Sequence, residues 1–455
     1  MPDDGFVQFN KHIIEYMRGV YVLLLISLFG YAGRVGGQES VTITQCYEWA
    51  RANYPQIHQM GLIDQTERYS LSNVGKAWLP QLSVSGKASY QSDVTKLPFD
   101  GDKISSLLPG FEIPSLSKDQ YQVVAQVDQT IWDGGSARSA RALTRAEATA
   151  NRKQLESELY ALNDRVNQLY FGCLLQDELI RQNALLQKEL QVNIERIEAM
   201  MENGVANQSD LESMEVELLN ARQNEIELRA SRTAYRLMLA TFINKPLTDQ
   251  VVLKTPESPE RSLSTQINRP ELRALDAKSE WIETQNKQVT AGLMPRIGAF
   301  VQGGYGRPGL NMLEDSFEPY YVAGVRLSWN LGKLYTLKND RRKIEVSRRQ
   351  IDVQRETFLF NTRLQLLQQN TEIKKMTDLM RADDDIIRLR TSIKQAAEVK
   401  LENGVISVTD LIREINAEDM ARQTAAAHRV QRLMTIYNYM YTCLLYTSDA
   451  ADDKA

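Results

Sequence analysis

The sequence predicts an α+β fold in which four short membrane-type β-strands are joined to very long α-helices. Three observations predict it. The chain repeats its own landmarks at an offset of about 200 residues. Each half carries two segments of strict period two, with one apolar and one polar face. Between the strands run long Pro-free stretches with apolar residues at heptad spacing.

Composition narrows the class first. The 455 residues hold 54 Lys and Arg against 58 Asp and Glu, a net charge of −4. That balance carries no basic footprint for nucleic acid. A mean hydropathy of −0.39 argues against a bundle of membrane-spanning helices. It leaves a β-barrel open, because barrel strands are half polar. The three cysteines (Cys46, Cys173, Cys443) and three histidines (His12, His58, His428) are scattered, so no disulfide framework, metal site or cofactor is expected. No Ser-His-Asp arrangement or Gly-rich phosphate loop is present, so no catalytic residue is assigned and no enzyme is expected.

The N-terminal 1–37 read as a signal peptide. An apolar run at 20–29 follows Arg18 and precedes Ala32-Gly33 and Gly36-Gly37, with cleavage expected after Ala32 or Gly37. A start at Met17 makes a tidier signal, so 1–16 read as a mis-assigned start. No Cys follows the apolar run, so no lipid anchor is expected.

The first repeat spans 38–245. Strand 81–91 alternates Leu82, Val84, Gly86, Ala88 and Tyr90 with Ser83, Ser85, Lys87, Ser89 and Gln91. Strand 121–132 places Tyr121, Val123, Ala125, Val127 and Ile131 on one face. Tyr and Trp gather near strand ends, as an interfacial girdle requires. A helix is expected over 134–203. Alternating steps of four and three from Leu155 to Met201 visit fourteen positions, eleven of them apolar. Such a seam supercoils against neighbours. About 70 residues at 1.5 Å each make a rod of roughly 100 Å. Asn203-Gly204 caps it, and a return helix follows over 207–244.

The 246–270 segment, with Pro246, Pro256, Pro259 and Pro270, reads as the linker or equatorial segment. The second repeat, 271–442, has strands at 296–305 and 320–330 and helices at 333–402 and 407–440. The landmarks recur in order. Leu79-Pro80 is echoed by Met294-Pro295, and Trp132-Asp-Gly-Gly by Trp329-Asn-Leu-Gly. Glu202-Asn-Gly-Val205 is echoed by Glu402-Asn-Gly-Val405, and Asp210-Leu211 by Asp410-Leu411. Leu359, Leu366, Ile373, Met380 and Ile387 carry a second sevenfold seam. The acidic run Asp383-Asp384-Asp385 reads as a solvated face or a lumen-facing cluster. Residues 443–455 have neither helical nor strand periodicity and resemble translated adapter read-through, so they read as an artefactual tail.

Four strands cannot close a barrel, and an open sheet edge is not viable in lipid. Membranous strands must therefore be shared between subunits, two giving eight strands and three giving twelve. The loops 92–119 and 306–318 would be external.

The ordered, duplicated landmarks across about 40–442 resemble the TolC family of outer-membrane efflux proteins. The resemblance implies a homotrimer whose twelve-stranded β-barrel sits among outer-membrane lipid. An α-helical coiled-coil tunnel continues it into the periplasm of a Gram-negative bacterium. It implies a passive exit duct for drugs or secreted proteins, in a tripartite efflux or type I secretion system. The partners implied are a periplasmic adaptor (membrane fusion) protein and an inner-membrane RND or ABC transporter. Gly204, Val205, Gly404 and Val405 fall on the family's adaptor-docking turns. Asp410 matches the first acidic residue of the family's tunnel constriction. Arg413 stands where the family has the second, so a purely acidic ring is not expected; the two residues are one helical turn apart and can pair. The competing reading is a periplasmic coiled-coil adaptor or scaffold, which shares helical hairpins but carries soluble β-rich segments.

Overall fold

The computed structural model describes residues 40–94, 117–258, 266–311 and 314–443. The expected signal peptide, most of the 92–119 loop and the tail beyond residue 443 lie outside the described residues. Strand β1 (Ser40–Val41), helices α1 (Ile43–Asn53) and α2 (Gln59–Lys76) and strands β2 (Gln81–Tyr90) and β3 (Asp119–Trp132) come first. Helices α3 (Ser136–Tyr160), α4 (Leu162–Glu202) and α5 (Gln208–Ile243) follow, then strand β4 (Val252–Leu253). Helix α6 (Pro270–Ala291), strands β5 (Arg296–Arg307) and β6 (Glu318–Ser328) and helices α7 (Lys333–Glu402) and α8 (Val408–Cys443) complete the order. Among the described residues no helix is long and apolar enough to cross a membrane.

The four long strands form one antiparallel sheet in the order β2-β3-β5-β6. Its burial is the reverse of a soluble sheet. Val84, Val123, Val301, Tyr321 (80% exposed) and Val325 (70%) lie on the open face. The other face is polar and more enclosed. There Gln126 Nε2 donates to Asp128 (2.7 Å), Gln122 reaches the Tyr320 hydroxyl, and Arg326 sits 3.9 Å from Asp128. Apolar residues turned outward around a polar interior are the pattern of a wall surrounded by lipid.

Asp133 begins α3. The Gly135 amide donates to its Oδ1 (2.9 Å) and the Ala137 amide to its Oδ2 (2.5 Å), so two orphan donors of the helix start are satisfied. Gly134 has φ +68, and a Cβ there would stand 2.6 Å from the Met294 Cβ. The Trp-Asp-Gly-Gly motif is thus a strand-to-helix turn packed against the entry to β5.

The helices form rows that change partners. Next to the sheet, α2 packs on α3, α3 on α6 and α6 on α7. Farther away, α5 packs on α4, α4 on α8 and α8 on the distal half of α7. Helix α7 runs 70 residues without a break. The single helix expected over 134–203 is instead two, α3 and α4, separated at Ala161. The break falls where the rod leaves α2 and α6 for α5 and α8. Here buried Tyr160 donates to the Tyr441 carbonyl (2.5 Å), stacks on the Tyr441 ring and lies under the Arg269 guanidinium. No Pro or Gly marks the change, because tertiary partners cause it.

One core cluster lies at this level and another at the far end. The first joins Val41, Cys46, Val166, Tyr170, Cys173, Leu239 and Leu253. Burial pushes the Cys46 and Cys173 thiols up to about 12. The first part of the 246–270 segment is docked here: β4 pairs in parallel with β1, and Arg236 donates to the carbonyls of Thr248 (2.6 Å) and Val251 (2.7 Å), while 259–265 lie outside the described residues. The second cluster uses Leu190, Ile194 and Ile197 of α4 with Met214, Leu401, Leu411 and Ile415. Helix α8 continues through Cys443, which is buried against Leu366 and Tyr439. The expected tail boundary at 443 therefore moves outward, because that side chain closes a core.

Asp133→Ala removes both capping bonds of α3. A loss of about 1 kcal/mol is expected, read as a lower denaturation midpoint of the purified protein with the helical circular dichroism signal retained.

Candidate functional site

At the end of the rods away from the sheet, two helical hairpins present their turns. The α4–α5 turn closes with the Gly204 amide donating to the Met201 carbonyl (2.9 Å) and the Val205 amide to the Met200 carbonyl (2.8 Å). In the α7–α8 turn, Gly404 bonds Leu401 (2.9 Å) and Val405 bonds Lys400 (2.8 Å). These paired 5→2 and 6→1 bonds need a left-handed residue at the cap, and Gly204 (φ +73) and Gly404 (φ +66) supply it. Val205 and Val405 are left exposed at the tips, 58% and 68%. Nothing lies within 4 Å of a Cβ built on either glycine, so both turns have open space around them.

The return helices begin with reciprocal caps. In α5 the Asp210 amide donates to Asn207 Oδ1 and the Asn207 amide to Asp210 Oδ2, both at 3.1 Å. Before α8, the Ser407 hydroxyl donates to Asp410 Oδ2 (2.7 Å) and the Asp410 amide donates back to Ser407 Oγ (3.2 Å). The Ser407 hydroxyl, then its backbone amide, then Arg413, hold the Asp410 carboxyl below its ordinary range. Arg413 Nη1 stands 3.5 Å from Asp410 Oδ1. The two form an exposed ion pair one turn apart, so the position carries mixed rather than purely negative charge. The capping role is readable in Asn207-x-x-Asp210 and Ser407-x-x-Asp410 as a capping box with Asp in the third position.

Residues 46–245 match the sequence profile of the family described as outer membrane efflux protein. The match covers the first repeat and makes that part of the chain similar to this family. No curated protein matches the sequence significantly. The fold of this chain is similar to that of several solved outer-membrane proteins. VceC of Vibrio cholerae has 12% identity and a TM-score of 0.60, over 88% of this chain and 95% of that one. The MtrE channel of Neisseria gonorrhoeae, solved in its open state, has 15% identity and a TM-score of 0.61, over 88% of each. The CmeC channel of Campylobacter jejuni has 11% identity and a TM-score of 0.61, over 90% of this chain and 88% of that one. VceC is an outer membrane protein, and MtrE and CmeC are outer membrane channels; the likeness to them is one of fold.

Behind the tips, buried charge ties the two hairpins together. Lys394 of α7 contacts Glu189 of α4 and lies 2.8 Å from Glu418 of α8, which is 2% exposed. Arg422 Nη2 (2.5 Å) and the Thr391 hydroxyl (2.6 Å) reach the other Glu418 oxygen. Burial works against the charge on Lys394, but its bonds to Glu189 and Glu418 outweigh this and hold it protonated. Sequence periodicity missed this cluster, because its members come from three helices.

The acidic run divides. Asp383 is buried 2.7 Å from His428 Nδ1, so it is neither a solvated nor a lumen-facing charge. Asp384 and Asp385 are exposed, and Asp385 pairs with Arg388 at 3.0 Å.

Asp419, beside Glu418, is pushed up to about 6 by burial, with Glu189 and Glu418 adding to the rise against Gln423 and Arg422. Its folded form holds the proton more tightly than the unfolded chain does. Stability from this group is therefore complete below about pH 4 and is lost as pH rises through about 6. Asp419→Asn is expected to stabilise the protein by roughly 1–2 kcal/mol at pH 7, after allowance for solvent screening. The gain disappears below about pH 4, as denaturation midpoints across pH would record.

Proposed function

We propose that three copies of this chain form a passive exit duct, with a twelve-stranded barrel in the outer membrane and a helical tunnel below it. The observation that carries this reading is the inverted sheet with two unpaired edges, β2 and β6. These edge strands run antiparallel to each other, because three antiparallel pairings separate them. Rotating the chain about an axis along the membrane normal then continues the alternation across every junction, and closure removes the edges. Two copies would make an eight-stranded barrel, whose interior side chains fill it. Three leave a lumen, lined by the polar face of Ser85, Gln122, Asp128 and Arg326.

The recurrence of helix, strand, strand, rod and return helix in both halves fits an internal duplication that builds one barrel wall and one tunnel wall per chain. The exposed tips Gly204-Val205 and Gly404-Val405 are the docking points for a periplasmic adaptor. That adaptor couples the duct to an inner-membrane transporter of the RND or ABC class. Asp410 and Arg413 contribute to the tunnel constriction as a paired, mixed-sign ring.

Docking is tested at the two glycines. Gly404→Trp and Gly204→Trp are expected to lower export in cells roughly tenfold, the scale of a lost interface hot spot, with trimer yield unchanged. Gly404→Ala, which puts the same strain on the left-handed turn but adds no bulk at the tip, is the control and should lower export far less than Gly404→Trp. Export undiminished in both Trp variants overturns the docking role.

The constriction is tested by conductance in planar bilayers. Asp410→Asn is expected to change single-channel conductance or ion selectivity by about twofold. An unchanged channel removes Asp410 from the constriction.

A further inference from the structure

A basic groove lies directly beneath the lipid-type face of the sheet. It occupies about 560 Å³ between α3 and α6 and is lined by Arg138, Ser139, Asn286, Lys287, Thr290 and Met294. Its upper wall is the Gly134-Gly135 turn that leaves β3, and Met294 is two residues before β5. The groove therefore abuts the lower ends of two central strands.

The lining identifies the side of the wall. A second groove meets the polar face of the sheet at Asp128, Phe300 and Arg326, and takes Asp133, Ser136 and Ala140 from the region of α3. At 100° per residue, Arg138, Ser139 and Ala142 lie on the opposite side of α3 from those residues. The Arg138 groove thus opens on the outer side, continuous with the apolar strand face.

Its charge is uncompensated. Among the described residues neither Arg138 nor Lys287 has a carboxylate within 4 Å, and both are exposed. The Asn286 Oδ1 is a buried acceptor that no protein donor reaches. The adjoining groove shares Asn286 and Thr290 and is of mixed charge. Arg348 pairs there with Glu283 (2.9 Å), to which Asn286 Nδ2 also donates (3.2 Å), and Arg341 and Glu345 complete it, so the uncompensated charge is that of Arg138 and Lys287. The surrounding sequence is basic too. Residues 333–349 hold seven Lys or Arg against two acidic residues, and 136–146 hold three against none. The chain as a whole is at −4, so this positive charge is local.

We infer that the α3–α6 groove binds the headgroup of an anionic phospholipid, phosphatidylglycerol, from the periplasmic leaflet. The inference rests on the sheet being the outer-membrane segment. Arg138 is six residues past the end of β3, and at 1.5 Å per helical residue its Cα is within about one turn of the hydrocarbon edge. Headgroup phosphates lie at that depth, some 5–8 Å outside the apolar core. Trp132 and Trp329 are exposed at the same level, where interfacial aromatics sit. Arg138 and Lys287 take the phosphate, Met294 and Gly134 meet the upper acyl chain, and a glycerol hydroxyl donates to Asn286 Oδ1.

The test uses the full-length protein, delipidated in detergent. Its melting midpoint is followed by Trp fluorescence against added phosphatidylglycerol, phosphatidylcholine or inorganic phosphate. Phosphatidylglycerol should raise the midpoint saturably and lose most of its effect in 0.5 M salt, where the Debye length is about half that of physiological medium. Phosphatidylcholine and inorganic phosphate should not. In Arg138→Gln/Lys287→Gln the half-saturating lipid should rise about fivefold per charge removed. Equal stabilisation by phosphatidylcholine or by phosphate overturns the proposal, as does a double variant that responds like wild type. The wild-type comparison decides alone if the double variant does not fold. Conductance in neutral bilayers, measured in parallel, reports the duct: its absence sinks that reading whatever the lipid response, and its presence beside a lipid-blind groove sinks only the groove.

Discussion

The need to pair every backbone amide where no water can reach governs this molecule. An apolar face turned outward is stable only against lipid, and in lipid a free strand edge costs several kcal/mol for each unmet group. Strands β2 and β6 end the sheet with such edges. The chain by itself is thus an incomplete wall. Its even number of antiparallel strands lets identical walls join without a parallel mismatch. The exposed valines and tyrosines of the sheet and the polar pairs on its other face are then one adaptation, seen from opposite sides.

The same logic extends into the helices. The rods lie in rows with no single central core, so each rod must find its own neighbours along its length. Next to the sheet those neighbours are α2, α3, α6 and α7, and farther out α4, α5, α7 and α8. The change of partners is held by directional contacts rather than by more apolar area. Tyr160, Tyr441 and Phe358 surround the Arg269 guanidinium, which also reaches Glu271. Nearby, Tyr170 donates to the carbonyls of Val41 (2.9 Å) and Lys254 (2.7 Å), stapling the two short strands to α4. Polar groups that are fully satisfied specify register in a way a greasy seam cannot.

How much of this the sequence discloses depends on the range of the interaction. Period-two alternation at Leu82, Val84 and Val123 reads directly, because strand geometry acts on adjacent residues. Caps read directly as well: Asn203-Gly204 and Asn403-Gly404 act within one turn. The α3–α4 break at Ala161 does not read, since its cause is Tyr441, 281 residues from Tyr160. Nor does the fate of Asp383, whose local context is a charge run and whose partner His428 comes from α8. The tips were legible as caps; the reciprocal bonding of Asp410 to Ser407 gives that residue a structural duty beside any role at a constriction.

That double duty matters for how such a tunnel can move. Behind each exposed, glycine-capped tip lies a tightly packed cluster, and the Lys394 network crosses from one hairpin to the other just above it. An opening that separates α4 from α7 and α8 would strip Lys394 of Glu189 while leaving Glu418 with Lys394, Arg422 and Thr391, since all three come from α8 itself or from its partner α7. Lys394 keeps Glu418 in that motion, so the cost stays below the roughly 3–5 kcal/mol typical of stranding one partner of a buried pair. Hairpins that move as units, α4 with α5 and α7 with α8, keep their internal contacts and give up the Lys394–Glu189 bridge, the Arg196–Glu402 and Arg429–Glu178 pairs and part of the apolar cluster they share. The charge network thus sets the least costly hinge between the hairpins, and Asp419 at its margin makes the energy of that hinge depend on pH.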